Sequence, residues 1–321
     1  MDHGRSLVGL ALCLFGCETA APEKITRQQA CRELARAYCE KLAQCSPFLM
    51  ARWYPDTAGC EGVFVPQCQV FLDAAGSQVT SEDLSVCAGL YSSLSCYGYQ
   101  SAAKGFAADP ARLCSLPAGT VATGKPCGAD VQCQGRLCAG KNFGCGACSV
   151  LGRRGAFCTS DWECQKGLAC SAAKGPRTCL PFLEVKAVCG TGTAPCHPTL
   201  ACRQGICATP AKENEPCDPG SQDCDALRGL WCSETGRCAA PIFAALGERC
   251  ENPAFENALC GAGTYCDSAQ KKCQPSGAAH ALCDDNRGPR CVAGFGCIDQ
   301  KCGLYDPNTC LPGWSLGQAA R

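Results

Sequence analysis

Apolar side chains near the N-terminus recur every three or four residues, which is the spacing of one face of an α-helix. In the first stretch these positions are Cys31, Leu34, Tyr38, Leu42 and Cys45. Thr26 followed by Gln29 has the form of a helix capping box, and Pro47 stops the pattern. The spacing therefore predicts a helix that begins after Thr26 and ends before Pro47.

Two further stretches predict helices in the same region. Val63 to Ala75 is apolar but contains Pro66, which predicts a less regular helix. Thr80 with Asp83 forms a second capping pattern, ahead of apolar residues at helical spacing: Leu84, Cys87, Tyr91 and Leu94. Three helices are therefore predicted. Four bridges are expected across this small bundle, with their pairing left open, from Cys31, Cys39, Cys45, Cys60, Cys68, Cys87, Cys96 and Cys114.

After residue 118 the helical spacing gives way to a unit of four cysteines that occurs six times. The units are numbered repeat 1 to repeat 6 by their first cysteines: Cys127, Cys158, Cys189, Cys217, Cys250 and Cys283. In five of them a glycine stands three residues before the third cysteine: Gly135, Gly167, Gly229, Gly263 and Gly294. The segments between cysteines are rich in Gly, Asn, Asp, Pro and Lys, which favour tight turns. The pattern predicts short hairpins and loops, and hence a small disulfide-rich fold with an N-terminal α-helical domain.

Each repeat is expected to form two disulfides of its own, because closing a short loop costs less chain entropy than closing a long one. In repeat 2 the cysteines are Cys158, Cys164, Cys170 and Cys179. Pairing first with third and second with fourth is favoured, since overlapping loops clamp each other, and the other pairings stay open. Cys148 and Cys310 stand outside the register, with Cys145 as fourth cysteine of repeat 1. They are expected to pair locally or to leave one free, because a stacked array would hold them too far apart to bond to each other.

The composition indicates the compartment. Thirty-six cysteines among 321 residues point to an oxidising, extracytoplasmic environment, since cytosolic proteins do not keep such crosslinks. A single repeat has too few apolar residues for a core of its own, so its disulfides must help to stabilise it. The 29 basic and 29 acidic residues balance. Without a run of lysine and arginine, no nucleic-acid partner is expected.

The N-terminus has the form of a secretion signal over residues 1–16, with an apolar run from Leu7 to Phe15 that is too short to span a bilayer. The run ends in the letters LFGC, which resemble a bacterial lipobox and imply a lipid anchor on Cys17 that attaches the protein to a membrane. The alternative is ordinary cleavage near Ala20 or Ala21, which would release the protein. The predicted organisation is signal 1–16, tether 17–25, helical domain 26–117, repeat array 118–310 and tail 311–321.

The order of glycine, cysteines and turns across residues 125–302 resembles the cysteine-rich repeats of myxobacterial surface lipoproteins. That resemblance implies a bacterial lipoprotein at the cell surface, with the outer membrane as its expected location. Repeat 1, where Cys145 and Cys148 form a Cys-x-x-Cys, is also similar in spacing to the N-terminal cysteine-rich region of Dickkopf proteins, and this likeness implies a fold type alone. EGF-like modules do not fit, because they require a Cys-x-Cys pair that the chain lacks.

Dense cysteines make zinc the first metal to consider, since its sites combine closely spaced thiolates or histidines. The chain has one Cys-x-x-Cys, and His197 and His280 lie in different repeats. Carboxylates cluster at Asp218–Asp225 and Asp284–Asn286, without the alternating ligands and closing Glu of a calcium loop. No metal and no cofactor is therefore expected.

Two short motifs resemble nucleotide-binding or catalytic sequences. Residues 119–125 match the opening of a phosphate-binding loop, but Pro126 stands where Ser or Thr would bind magnesium. Residues 313–317 have the spelling of a nucleophile elbow, which requires a strand before it and a helix after it. No catalytic residue is therefore predicted. Four aromatic residues beside the cysteines are expected to pack on the disulfides or, alternatively, to form a ligand-binding face: Trp162, Trp231, Tyr265 and Phe295.

These observations favour a cell-surface lipoprotein that acts as a disulfide-stapled binding, adhesion or spacer module without catalytic activity. Stacked repeats would give a long surface that keeps its shape in an oxidising exterior. The expected ligand is an extracellular protein or a glycan. The alternative is a secreted inhibitor of a protease or another extracellular target, because stapled loops present pre-organised backbones.

Overall fold

The computed structural model describes residues 25–103, 113–140, 145–172, 175–219, 223–250, 259–284 and 288–310. These residues form an N-terminal group of helices followed by a series of small hairpins, which confirms the predicted disulfide-rich fold. The predicted signal, Cys17, most of the tether and the predicted tail lie outside the described residues.

Five helices occur in the described N-terminal region: α1 Arg27–Cys45, α2 Pro47–Trp53, α3 Thr57–Leu72, α4 Ser81–Ser93 and α5 Cys96–Ala103. The three predicted helices correspond to α1, α3 and α4, so the predicted number is too low. Pro47 ends α1, but it also starts α2, because proline suits the first turn of a helix, where its missing N–H needs no partner. The short helix α5 begins where the Ser95 hydroxyl accepts the N–H of Gly98.

Local hydrogen bonds set the starts of α1 and α4. The Thr26 hydroxyl accepts the N–H of Gln29 at 3.2 Å. Thr80 and Asp83 form a reciprocal capping box, in which each side chain accepts the backbone N–H of the other residue. These caps confirm that both helices begin where the sequence predicts, since each cap satisfies N–H groups that have no partner inside the helix.

The helix α3 departs from its predicted limits. It begins at Thr57 rather than at Val63, because the Asp56 carboxylate accepts the N–H of Gly59 at 2.7 Å. It also continues through Pro66, although proline removes one backbone hydrogen bond from a helix. Apolar residues on both sides of the proline pack against the helical core and offset that loss: Val63, Phe64, Val65 and Cys68.

The helix α1 lies at the centre of the helical domain, between α3 and α4. Tyr38 of α1 stacks on Phe64 of α3 with 4.6 Å between ring centroids and meets Tyr91 of α4 edge-on at 5.8 Å. Three of the four disulfides in this domain start from α1: Cys31–Cys68, Cys39–Cys60 and Cys45–Cys96, with Cys87–Cys114 as the fourth. The domain therefore combines a continuous apolar core with crosslinks between its helices.

The repeats consist of short strands in separate small sheets. The strands are β1 Pro126–Cys127, β2 Arg136–Ala139, β3 Gly146–Val150, β4 Leu168–Ser171, β5 Thr178–Pro181, β6 Ala201–Arg203, β7 Ile206–Ala208, β8 Trp231–Cys232, β9 Cys238–Ala239, β10 Phe243–Ala244, β11 Leu259–Cys260, β12 Thr264–Asp267, β13 Lys272–Pro275, β14 Gly296–Ile298 and β15 Lys301–Gly303. Repeat 1 has a three-stranded sheet in the order β1-β3-β2. Each later repeat has one antiparallel hairpin, namely β4-β5, β6-β7, β8-β9, β12-β13 and β14-β15, and β10 pairs in parallel with β11. The predicted hairpins are confirmed.

In repeats 2 to 6 the third and fourth cysteines face each other across the hairpin, as Cys170 and Cys179 do. Each of them bonds to a cysteine of the preceding loop, so these five repeats have the pairing of first with third and second with fourth that the sequence favours. Repeat 1 shares the pairing of first with third, Cys127–Cys138. In repeat 2 the bridges are Cys158–Cys170 and Cys164–Cys179. Repeat 1 corrects one expectation, because Cys133 bonds to Cys148 and not to Cys145.

Polar side chains replace part of the apolar core that a repeat lacks. In repeat 2, the Glu163 carboxylate accepts the N–H of Thr159 at 2.7 Å, and the Asp161 carboxylate accepts the N–H of the third cysteine. Gln132 and Asp130 do the same in repeat 1. Because an unpaired amide in a buried turn is destabilising, these side chains help to fix the loops that precede each hairpin.

The glycine before the third cysteine is needed for its backbone conformation in four repeats. Gly167, Gly229, Gly263 and Gly294 have φ angles between 73° and 86°, a region that side chains disfavour. At Gly135 the reason is different, because a Cβ there would overlap the backbone of Ser149 on β3. Every hairpin that has this glycine therefore starts from a turn that a larger residue would strain.

Candidate functional site on the closed repeat array

A disulfide between Cys145 and Cys310, called the clasp, joins repeat 1 to the end of the array across 165 residues. Both cysteines are buried, and the Tyr305 hydroxyl contacts the sulfur of each. Burial raises the pKa of Tyr305, so this phenol stays protonated. The expectation that Cys310 pairs locally or stays free is wrong, because the two ends of the array meet.

Both ends of the array lie against the same loop of the helical domain, which follows α3. From the start of the array, Gln132 Nε2 donates to the Ala75 carbonyl at 2.9 Å, and the Thr120 N–H donates to the Gly76 carbonyl at 2.8 Å. From the end of the array, Asn308 Oδ1 accepts the Ala75 N–H at 2.6 Å. This loop is therefore the point at which the path of the array begins and ends.

Repeat 3 contacts α5 through a buried histidine. The His197 ring stacks on Tyr97 with 4.5 Å between centroids and meets Phe182 edge-on at 5.8 Å. Its Nδ1 lies 2.7 Å from the Thr199 hydroxyl. Burial lowers the pKa of His197, and the negative charge of Glu184 acts in the opposite direction. The neutral imidazole is therefore the form that suits this contact.

Repeats 4 and 5 contact α2. The Phe48 ring lies against Gly229, where a Cβ would overlap it, and stacks on Phe243 with 6.1 Å between centroids. The N–H of Ala262 donates to the Ala51 carbonyl at 3.2 Å. The glycine that the repeat 4 hairpin needs for its turn therefore also allows the helix to approach.

Repeat 6 contacts α3, where Ala293 packs on the helical core and a Cβ at Gly294 would overlap Val63. In chain order, repeats 3 to 6 contact α5, α2 and α3, and the clasp then returns the path to repeat 1. The described residues of the array, within 118–310, thus form a closed belt against the helical domain, and the expected long stack of repeats is wrong. Repeats 3 to 6, which have little core of their own, bury part of their apolar surface on the helices instead.

The belt presents apolar side chains to solvent at one recurring position, directly before the first cysteine. Phe157, Val188 and Leu282 occupy it in repeats 2, 3 and 6 and are 78%, 73% and 68% exposed. The cysteine points into the disulfide cluster, so its neighbour on an extended chain points outward. In repeat 3 the residue paired with this position is Ile206, which is also exposed. These residues are absent from the sequence predictions, although this alternation could have found them.

A cleft of about 730 Å³ separates repeat 1 from repeat 2. Its apolar lining includes the buried Leu137 and the exposed Val150 and Phe157. Two exposed cationic side chains, Arg136 and Arg153, also line it. The arrangement can hold a ligand that has an apolar part next to a negative charge.

The four aromatic residues singled out in the sequence lie apart from this cleft. Trp162 is exposed, whereas Trp231, Tyr265 and Phe295 are half-buried. Tyr265 of repeat 5 covers Gly288 of repeat 6, where a Cβ would come within 2.5 Å of its hydroxyl. Tyr265 therefore packs between neighbouring repeats.

Cysteine sulfurs come close enough together to resemble a metal site. Those of Cys158, Cys164 and Cys179, for example, lie within 4.8 Å of one another. All three belong to disulfides, and a disulfide sulfur has no thiolate charge with which to bind zinc. The Cys-x-x-Cys is divided as well, because Cys145 bonds to Cys310 and Cys148 bonds to Cys133.

The remaining sequence motifs have structural roles where they are described. In the first carboxylate cluster, Asp223 accepts the N–H of Asp218 at 3.0 Å, and Asp225 accepts N–H groups of the following turn. In the segment 119–125, the Gly119 N–H donates to the Cys133 carbonyl, and the chain continues into β1 rather than a helix. Residues 285–287 and the motif at 313–317 lie outside the described residues.

The crosslinks indicate where the protein resides. The described part of the chain contains 17 disulfides, which points to an extracytoplasmic compartment. Among its helices, none has the length and apolar character needed to cross a bilayer.

No family model and no solved structure matches the chain. The chain is similar to the cell-cell adhesion glycoprotein 64 of Heterostelium pallidum, with 30% identity over 146 residues. The similarity covers 44% of this chain and 42% of that protein, so the chain spans less than half of this relative's length. The disulfide-rich fold and this partial similarity are consistent with an adhesion or binding module.

Proposed function

We propose that this protein is a cell-surface adhesion or binding module whose belt holds recognition side chains beside rigid hairpins. The observation that carries the proposal is the exposure of Phe157, Val188 and Leu282, each of which pairs with a hairpin strand in a repeat that has two disulfides. A backbone that disulfides already hold in place loses little entropy on binding, which favours affinity. The partial similarity to a cell-cell adhesion glycoprotein supports the same function, and the proposal includes no catalytic role.

The proposal places the protein at a membrane through a lipid on Cys17. It rests on the lipobox-like letters that end at this residue and on the general role of lipidated cysteines as anchors. Cys17→Ala should leave the protein unprocessed or release it, as measured by membrane fractionation and intact mass. A soluble wild-type protein that begins near Pro22 would refute the anchor and leave the adhesion proposal standing.

Attachment of protein-coated beads to cells tests the adhesive function. Beads carrying the oxidised mature protein should attach to cells of the source species in a saturable way, and soluble protein should compete. Beads carrying the same protein after reduction and alkylation are the matched control, because they present the same composition without the fold. Equal attachment of the two kinds of bead would refute the proposal.

A further inference from the structure

We propose that the cleft between repeats 1 and 2 binds a peptide segment of a protein partner that presents a large apolar side chain next to a carboxylate. The inference rests on the proposed binding function, because it assigns a site and a partner chemistry to it.

The apolar part of the cleft is large enough for side chains of a partner. Its volume of about 730 Å³ falls in the range of roughly 300–1,000 Å³ that is usual for ligand sites. Leu137 is buried at this surface, whereas Val150 and Phe157 are 63% and 78% exposed. Covering these two side chains would remove apolar surface from water, which is the main driving force of association.

The charges in the cleft select an anionic group. Arg136 and Arg153 line it and are exposed, and among the described residues neither makes an ion pair. Glu163 also lines the cleft, but its two carboxylate oxygens accept the N–H and the hydroxyl of Thr159 at 2.7 and 2.5 Å. The two guanidinium groups are therefore available for a carboxylate of the partner, which arginine binds well.

The lining favours a peptide over a glycan. A sugar needs many hydrogen-bonding side chains for its hydroxyl groups, and in this cleft apolar residues predominate while Glu163 is already bonded. A peptide can instead place an apolar side chain on Phe157 and Val150 and an acidic one against the arginines. The observed chemistry therefore matches an extracellular protein segment.

The walls of the cleft are fixed before any ligand binds. Repeat 1 and repeat 2 each have two disulfides of their own. The segment that connects β3 to repeat 2 is also held in place, because the Gly152 N–H donates to the Glu163 carbonyl at 2.6 Å and the Gln165 N–H donates to the Gly152 carbonyl at 2.9 Å. A site of this kind requires little ordering on binding.

Selection of linear peptides displayed on phage, with the oxidised mature protein immobilised, tests the inference. Enriched peptides should combine a large apolar residue with a neighbouring Asp or Glu. Synthetic copies should bind wild-type protein and lose roughly tenfold or more in affinity with either Phe157→Ala or Arg153→Glu. Leu246→Ala is the matched control, because Leu246 is an apolar belt side chain that is 60% exposed and does not line the cleft; it should leave affinity unchanged.

Three outcomes would overturn the inference: no peptide is enriched, the enriched peptides lack a carboxylate, or Phe157→Ala and Arg153→Glu bind them as well as wild type does. Both substitutions lie on exposed side chains, and a disulfide map identical to that of wild type would show that folding is intact. The cell-attachment assay separates the two proposals. If wild-type beads fail to attach while peptide binding follows the prediction, the adhesive function falls and the site stands.

Discussion

The helical domain and repeat 2 both bury cysteine sulfur, but the two regions surround it with different material. Around α1, Leu34, Tyr38 and Leu42 form a continuous apolar core that encloses the cysteines. In repeat 2 the buried cluster consists of the four cysteines, with Leu168 packed against them. The first region could retain order from apolar burial alone, whereas the second depends on covalent closure of its loops.

The difference also explains why the two regions are joined. A repeat with little core of its own gains apolar burial when it packs on a helix. Phe243 packs on Phe48 of α2 in this way, and Gly294 packs on Val63 of α3. The belt therefore combines two sources of stability, its local disulfides and the surface of the helical domain.

Reduction of the disulfides should reveal the largest difference in stability between the two regions. As reductant is raised, the hairpins of the belt should unfold first, because their loops lose the closure that limits the entropy of the unfolded chain. The helical signal in far-ultraviolet circular dichroism should persist to higher reductant. Alkylation followed by mass mapping would identify which bridges open at each step. Simultaneous loss of helices and hairpins would show that the two regions form one cooperative unit.

Removal of the clasp should cause the next largest loss of stability. Cys145→Ser with Cys310→Ser removes a bridge that closes a loop of 165 residues, for which chain entropy alone gives about 5 kcal/mol. The twelve disulfides inside the repeats should remain, while hydrogen exchange should rise where the belt contacts the helices. The control is Cys217→Ser with Cys232→Ser, whose bridge spans 15 residues. Its loss should cost about 3 kcal/mol and affect repeat 4 alone; equal and local effects would contradict a closed belt.

Alanine substitutions at two equivalent glycines can measure how much one contact between the belt and the helices stabilises the fold. Gly167 and Gly294 occupy equivalent positions with φ angles of 83° and 86°, but a Cβ at Gly167 meets nothing within 4 Å, whereas one at Gly294 overlaps Val63. Gly167→Ala should cost about 1 kcal/mol from backbone strain. Gly294→Ala should cost about 1 kcal/mol more, because it also disturbs the contact with α3. Denaturant titrations of both variants would test this, and equal losses would exclude a contribution from docking.

Acidification should cause the smallest loss of stability, through protonation of His197. Burial lowers the pKa of this residue in the folded protein below its ordinary value of 6.5, so the unfolded chain binds more protons in that range. Its stabilising contribution is therefore complete above pH 6.5 and is lost as pH falls toward the lowered value. His197→Gln should flatten this part of the pH profile of unfolding, and His280→Gln, at an exposed histidine, should not. Parallel profiles for all three proteins would contradict the prediction.

The features that the sequence predicts well are those set by neighbouring residues. Thr26 and Thr80 cap their helices because each needs a partner only three residues away. The disulfide pairing inside the repeats is local as well, since the loops are short and alternatives few. The predicted end of α1 before Pro47 is confirmed, but α2 was missed because proline both ends a helix and suits the start of the next one.

Features that depend on contacts between distant parts of the chain could not be predicted from the sequence. Nothing near Cys145 indicates a partner 165 residues away, because that pairing exists only when the belt has closed on the helical domain. The same applies to Gly229, whose turn is predictable but whose contact with Phe48 is not. At the candidate site, the exposure of Phe157 follows from alternation beside a cysteine, whereas the cleft itself depends on how two repeats pack.

The clasp also determines how the molecule would carry a mechanical load. A pull on any of repeats 2 to 6 travels through the covalent chain in two directions, back to Cys145 or forward to Cys310 and across the clasp to the same residue. The tension is thus divided between two arms of the belt. Both arms meet at repeat 1, which alone among the described repeats has a three-stranded sheet. Repeat 1 is therefore the junction through which the whole covalent load passes to the helical domain.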